Sequence, residues 1–169
     1  RSQIMKSLAL KISMAVLSMI PLVAKAELIV LASPQSNDAY YAKMIDDIFD
    51  FHVDYAKKII KNGDNVVVLM GKGLYPDYVK ALGKKHVAIA PMHDIWMRDF
   101  TSANPAQPVM FRYTAAGQGG AKKGQAISDE VQDEFKYYSQ KAGLQFTQSK
   151  LLNDGGNWVE DGYGNVVLS

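Results

Sequence analysis

Hydrophobic and polar positions alternate in blocks that predict a strand–helix rhythm along most of the chain. Glu27 to Ala32 is almost continuously apolar and reads as a buried strand, with a polar loop, Ser33-Pro34-Gln35-Ser36-Asn37, after it. A helix is expected from about Tyr40 to Lys61, because Met44, Ile48, Tyr55 and Ile59 recur at helical spacing and Gly63 sits where a C-cap belongs. Val66 to Met70 is a β-branched run, expected as a second strand. Past Gly71-Lys72-Gly73, a short helix is expected near Pro76 to Leu82, opened by proline and stopped by Gly83. His86 to Ala90 is the next strand, and Val109 to Tyr113 another.

A glycine-rich loop, Gly117 to Gly124, precedes a helix expected from Asp129 to Ala142. Ser128 can cap it, Asp129 and Glu130 suit its N-terminal dipole, and Gly143 ends it. Val131, Phe135, Tyr138 and Ala142 would be its buried stripe. Leu144 to Thr147, Leu151-Leu152 and a hairpin of Asn157–Val159 with Val166–Leu168 complete the pattern, with Gly162 and Gly164 in the turn. Strands outnumber helices, and several are expected to pair through short turns. The fold class expected is α/β, in repeated mixed units rather than a doubly wound parallel sheet.

The first segment changes the count of folded residues. Residues 1–4 precede Met5 and read as upstream sequence or cloning residues. Residues 5–26 read as a signal peptide: Lys6 is the positive start, Leu8 to Val23 a mostly apolar stretch, and Ala24-Lys25-Ala26 a small-x-small cleavage site. Lys11, Ser13, Ser18 and Pro21 interrupt the run, which argues against a membrane anchor. Removing 26 of the 169 residues leaves 143, takes away four cations (Arg1, Lys6, Lys11, Lys25) and moves the formal charge from +2 to −2. Clustered Lys and Arg for nucleic acid are then missing. The expected location is periplasmic or extracellular, with no membrane contact after cleavage. With no cysteine there are no disulfides, so a hydrophobic core must hold residues 27–169. The chain stops within an expected strand, Val166 to Ser169, and reads as the front part of a longer protein.

Most local motifs carry no chemistry. Gly71-Lys72-Gly73 lacks the third glycine of a dinucleotide loop, where Pro76 stands, and no Walker lysine-serine follows. The loop Gly117 to Gly124 reads as surface, with a lid as the alternative. His52, His86 and His93 are not spaced as a metal site, although His93 beside Asp94 could serve as a ligand or base. No G-x-S-x-G elbow is present.

His93-Asp94-Ile95-Trp96-Met97-Arg98-Asp99 is different. An indole face attracts a cation, and a carboxylate can accept two parallel N–H bonds from a guanidinium. Asn153-Asp154-Gly155-Gly156-Asn157-Trp158 adds another acid beside a Gly-Gly corner. The competing reading is a core tryptophan, with Arg98 paired to Asp99 or Asp94, and a plain turn at Gly155-Gly156, where φ > 0 comes easily.

The first motif resembles the D-x-W-x-R-D signature of the agmatine deiminase and bacterial-type peptidylarginine deiminase family. Phe111-Arg112-Tyr113-Thr114-Ala115-Ala116-Gly117 is similar to that family's F-x-F-N-A-W-G segment, with Ala116 in place of the tryptophan. Asn153-Asp154-Gly155-Gly156-Asn157, with the turn Asp161-Gly162-Tyr163-Gly164, is similar to its E-G-G-N block. The resemblance implies a five-bladed α/β propeller of ββαβ repeats, of which this chain would supply about the first half. It implies that Trp96 walls the guanidinium site, that Asp99 binds the guanidinium nitrogens, and that Asp154 stands where a glutamate orients a catalytic histidine. Asp154 is one methylene shorter than that glutamate. Asp94, Arg98, Gly155, Gly156 and Asn157 would be structural support.

The resemblance further implies a His-x-Asp pair and a cysteine nucleophile, neither of which lies in these residues. The expected reaction is hydrolysis of a guanidino group to a ureido group plus ammonia, with no metal and no organic cofactor. Agmatine and protein arginine are nearly equal candidates for substrate, and this stretch alone is expected to be inactive. The alternative is a non-catalytic exported binding protein for arginine-like cations. The oligomeric state is not legible.

Overall fold

The computed structural model describes residues 26–101, 108–115, 121–161, 163 and 165–168. The leader, the Ala116-Gly117 end of the second motif, Gly162, Gly164 and Ser169 lie outside the described residues.

Three strands open the fold: β1 (Leu28–Ala32), β2 (Asn65–Met70) and β3 (Val87–Ile89), in the order β1-β2-β3. Both pairings are parallel, with Ile29 beside Val66 and Leu69 beside Ala88. Parallel neighbours need crossovers, and two helices supply them: α1 (Ile45–Lys61) and α2 (Tyr75–Leu82). Asp46 and Asp47 in the first turn of α1, and Lys58 and Lys61 in its last, complement the helix dipole. Pro76 opens α2, and Gly83 closes it at φ 85°. Val68, Met70, Tyr78 and Val87 form one buried cluster under these helices.

The helix expected from Tyr40 begins only at Ile45, after a turn in which the Asp38 carboxylate accepts the N–H groups of Tyr40 and Tyr41. Its buried face is also rotated from the expected stripe. Met44 is 41% exposed and Tyr55 equally so, while His52, Ala56 and Ile59 are buried. Parallel packing on β1 and β2 selects the face, and periodicity alone does not separate two adjacent apolar stripes. His86 belongs to a 3-10 turn (Lys84–His86) rather than to the strand, with Nδ1 on the Val66 carbonyl at 3.0 Å.

A second sheet pairs β4 (Val109–Tyr113) with β5 (Thr147–Asn153), again in parallel. The crossover is α4 (Ala121–Lys141), which starts eight residues before the expected Asp129. Ala121 to Gly124, expected as loop, are therefore helical. Ser128 is not the cap: its hydroxyl lies inside the helix, donates to the Gly124 carbonyl and accepts from Ala115 N–H. Ala142 is exposed, whereas Gln132 and Ser139 are buried. One strand runs from Thr147 through Leu151-Leu152, whereas Leu144 to Phe146, also expected as strand, lie outside it. Last comes an antiparallel hairpin of β6 (Trp158–Glu160) and β7 (Val166–Leu168). Among the described residues this hairpin is the only pair joined by a short turn. The sheets are otherwise parallel, contrary to the expected frequency of short-turn pairing.

Candidate cation site at the strand ends

Both chemical motifs leave the carboxyl ends of parallel strands, where open α/β sheets usually place ligands. From β3 the chain passes buried Ala90 and Met92 to the Asp94 loop, then forms the one-turn helix α3 (Met97–Phe100). Phe100 is fully buried among Ala32, Tyr113 and Val131, which pins α3 to the core. β5 ends at Asn153, beside Tyr113 of β4, and delivers Asp154 and a 3-10 turn, Gly155–Asn157.

The two motifs meet through glycine. A Cβ on Gly155 would stand 2.1 Å from the Arg98 carbonyl oxygen and 3.1 Å from that of Asp99. One on Gly156 would stand 2.8 Å from Asp99 Oδ1 and 3.0 Å from Asp154 Oδ1. Positive φ, the expected reason for Gly-Gly, applies to neither; only Gly63, Gly83 and Gly143 adopt it among the described residues. The requirement is close backbone approach. Arg98 closes the same junction, donating from Nε to the Gly155 carbonyl at 3.3 Å and from Nη2 to the Trp158 carbonyl. It thus braces the second motif, not Asp94 or Asp99 as the competing reading had it.

Asp154 Oδ1 accepts the Gly156 N–H at 2.8 Å, and the Asn157 N–H reaches the Asp154 carbonyl at 2.9 Å. Burial and then the Asp154 charge push the Asp99 carboxyl up to about 6, with Asp94 adding and Arg98 opposing. Asp94 is only 8% exposed, and its Oδ1 accepts from Tyr41 Oη at 2.8 Å and from Ile95 N–H at 2.7 Å. Burial drives the Tyr113 hydroxyl upward, reinforced by Asp94, Asp99 and Asp154. Three carboxylates thus converge on one place, where a cation would relieve their repulsion.

Trp96 is 61% exposed, so the core-tryptophan reading fails. His93 turns away: its Nε2 lies 3.7 Å from both Glu130 Oε1 and Glu134 Oε2 on α4. No group of three His, Cys, Asp or Glu is placed to hold a metal among the described residues. A cleft of about 270 Å³ opens elsewhere, between β4, β5 and α4, but Arg112 and Lys136 on it are already paired with Asp129 and Asp133. Tyr41 and Gln132 were not singled out by sequence. Gln132 accepts the Tyr113 N–H and donates to the Phe100 and Phe111 carbonyls, fixing β4 against α3. Its only signal was a glutamine one residue after Val131, at the edge of the expected stripe of α4.

Over residues 18–169 the chain matches the family model described as Porphyromonas-type peptidyl-arginine deiminase. Among solved structures, it superposes on a C. jejuni agmatine deiminase with a TM-score of 0.62 at 17% identity, covering 87% of this chain and 44% of that one. A Cys-to-Ser variant of that C. jejuni enzyme with substrate bound gives 0.61 at 15%, covering 87% and 44%. A protein provisionally named a peptidyl-arginine deiminase gives 0.63 at 18%, covering 84% and 43%. The chain therefore spans less than half the length of the solved structures it matches. No curated protein matches it.

Proposed function

This chain belongs to the Porphyromonas-type peptidyl-arginine deiminase family, and on that premise we propose that it is the front part of an exported deiminase. The reaction is hydrolysis at a guanidino C–N bond, giving a ureido group and ammonia. The observation that carries this reading is the junction at Gly155-Gly156. It sets Asp99 against Asp154, with Asp94 behind them and an exposed Trp96 on the same loop.

In this reading Asp99 accepts N–H bonds from the guanidinium, and Trp96 offers a face to the same flat cation. Asp154 orients the general base. The chain has no cysteine, so the nucleophile comes from residues beyond it, as does the His-x-Asp pair. A thiolate adds to the guanidinium carbon, ammonia leaves after taking a proton, and water then releases the ureido product and the thiol. Residues 1–26 act as the upstream and export segments, and residues 27–169 as about the first half of a five-bladed propeller. The fold likeness to the C. jejuni enzyme supports an α/β unit of this kind.

Agmatine and a peptide with internal arginine should be tested with the full gene product, following ammonia and ureido groups. Ammonia with either substrate is the expected result and identifies which one. Binding of agmatine with no ammonia from either would overturn catalysis in favour of a cation-binding protein.

A further inference from the structure

Tyr41 lies 53 residues before Asp94, in the turn that follows β1, and is 7% exposed. Its ring is edge-on to Tyr40, and Asp38 holds its backbone N–H. Its hydroxyl donates to Asp94 Oδ1 at 2.8 Å. The same oxygen accepts the N–H of Ile95 at 2.7 Å and that of Trp96 at 3.4 Å. One carboxylate oxygen therefore gathers a distant tyrosine and two successive amides. Those amides belong to the loop that carries Trp96 and leads into Asp99.

We propose that Tyr41 is a positioning residue for the cation site: through Asp94 it fixes the turn that presents Trp96 and Asp99 to the guanidinium. This rests on the deiminase reading above. Asp94 does not need to touch substrate, since Oδ1 is occupied by three donors. Its charge still matters, because it is one of the groups facing Asp99. The others are Asp154 on the 3-10 turn, Arg98 on α3 and Tyr113 on β4. Removing the Tyr41 hydroxyl leaves the Asp94 charge less offset, so Asp99 keeps its proton to higher pH. Changing Asp94 to asparagine does the reverse, because an amide oxygen can keep all three donors while the charge is lost.

Two variants of the full gene product separate geometry from charge. Tyr41→Phe should raise KM for the guanidino substrate about tenfold, the scale of one hydrogen bond to a charged acceptor, and leave kcat less affected. It should also move the acid limb of kcat/KM to higher pH. Asp94→Asn should move that limb to lower pH, with the smaller rise in KM. A merely structural tyrosine would lower the melting temperature and leave both KM and the limb unchanged per folded molecule, which would overturn the proposal. An acid limb that stays put in Asp94→Asn overturns it as well, whatever Tyr41→Phe does. Should the wild type release no ammonia, the deiminase reading fails, and calorimetric binding of agmatine across the same pH range reads the limb instead. Absence of binding would overturn both.

Discussion

Replacing Gly155 by alanine tests whether the site depends on the contact between the two motifs. The new Cβ would lie 2.1 Å from the Arg98 carbonyl oxygen, whereas ordinary van der Waals contact begins at 3.4 Å. Some 1.3 Å of separation must therefore be found, and the obstacle is backbone, with no side chain to rotate away. Overpacking of this kind costs about 1–3 kcal/mol of stability. The functional loss should be larger than that cost suggests. A displacement of ~1 Å at a site built on orientation can lower turnover about 100-fold, and the shift here falls on the backbone of Arg98 and Asp99. The assay is ammonia release by the full gene product, normalised to folded protein from a thermal melt. Gly71→Ala is the control: its added Cβ would meet only Gln35 Cγ and Pro91 Cβ, each at 3.9 Å. It should change stability by less than about 0.5 kcal/mol. Turnover per folded molecule in Gly155→Ala equal to that of Gly71→Ala would refute the argument that close approach builds the site.

Asp99→Asn keeps the shape but removes the charge, and should lower kcat/KM by about 100-fold or more. In the parent protein, cation binding needs ionised Asp99, so kcat/KM should fall as pH drops through about 6. Stability runs the other way for this group: its folded value lies above 3.8, so its contribution is complete below 3.8 and is lost as pH rises through about 6. His52 has the opposite sense, because burial lowers it from 6.5 to about 4. Its contribution to stability is present above 6.5 and lost as pH falls to about 4, and His52→Gln should flatten the dependence of melting temperature on pH in that window. Residues 27–169 expressed alone should self-associate, since Leu151 is 69% exposed and Val167 68%, on short sheets with open edges; a monomer with one cooperative melt in sedimentation and calorimetry would contradict this.

Elements with a strong local signal were legible. β1 and β2 are fixed by continuous apolar or β-branched runs, and α2 is opened by a proline and closed by a glycine whose backbone roles are local. The Trp96 and Asp154 motifs could also be read as a pair, because guanidinium chemistry needs acids and a flat aromatic face. The early start of α4 was not legible. Ala121 to Gly124 look like loop by composition, yet Gly124 is buried in the helix and Ser128 turns inward to bond its carbonyl.

Residue type and short-range spacing are enough to say which side chains are available for a cation and roughly where strands and helices lie. Tertiary structure decided how they meet. Which face of α1 is buried depends on its parallel packing against β1 and β2, and local periodicity offers two stripes. That Gly155 and Gly156 are needed for contact rather than for positive φ appears only once the Arg98 backbone lies against them. Arg98 bracing Trp158, and Tyr41 holding Asp94, are contacts across 60 and 53 residues. No local pattern encodes such pairs; they exist because parallel strands bring their carboxyl ends to one side of the fold.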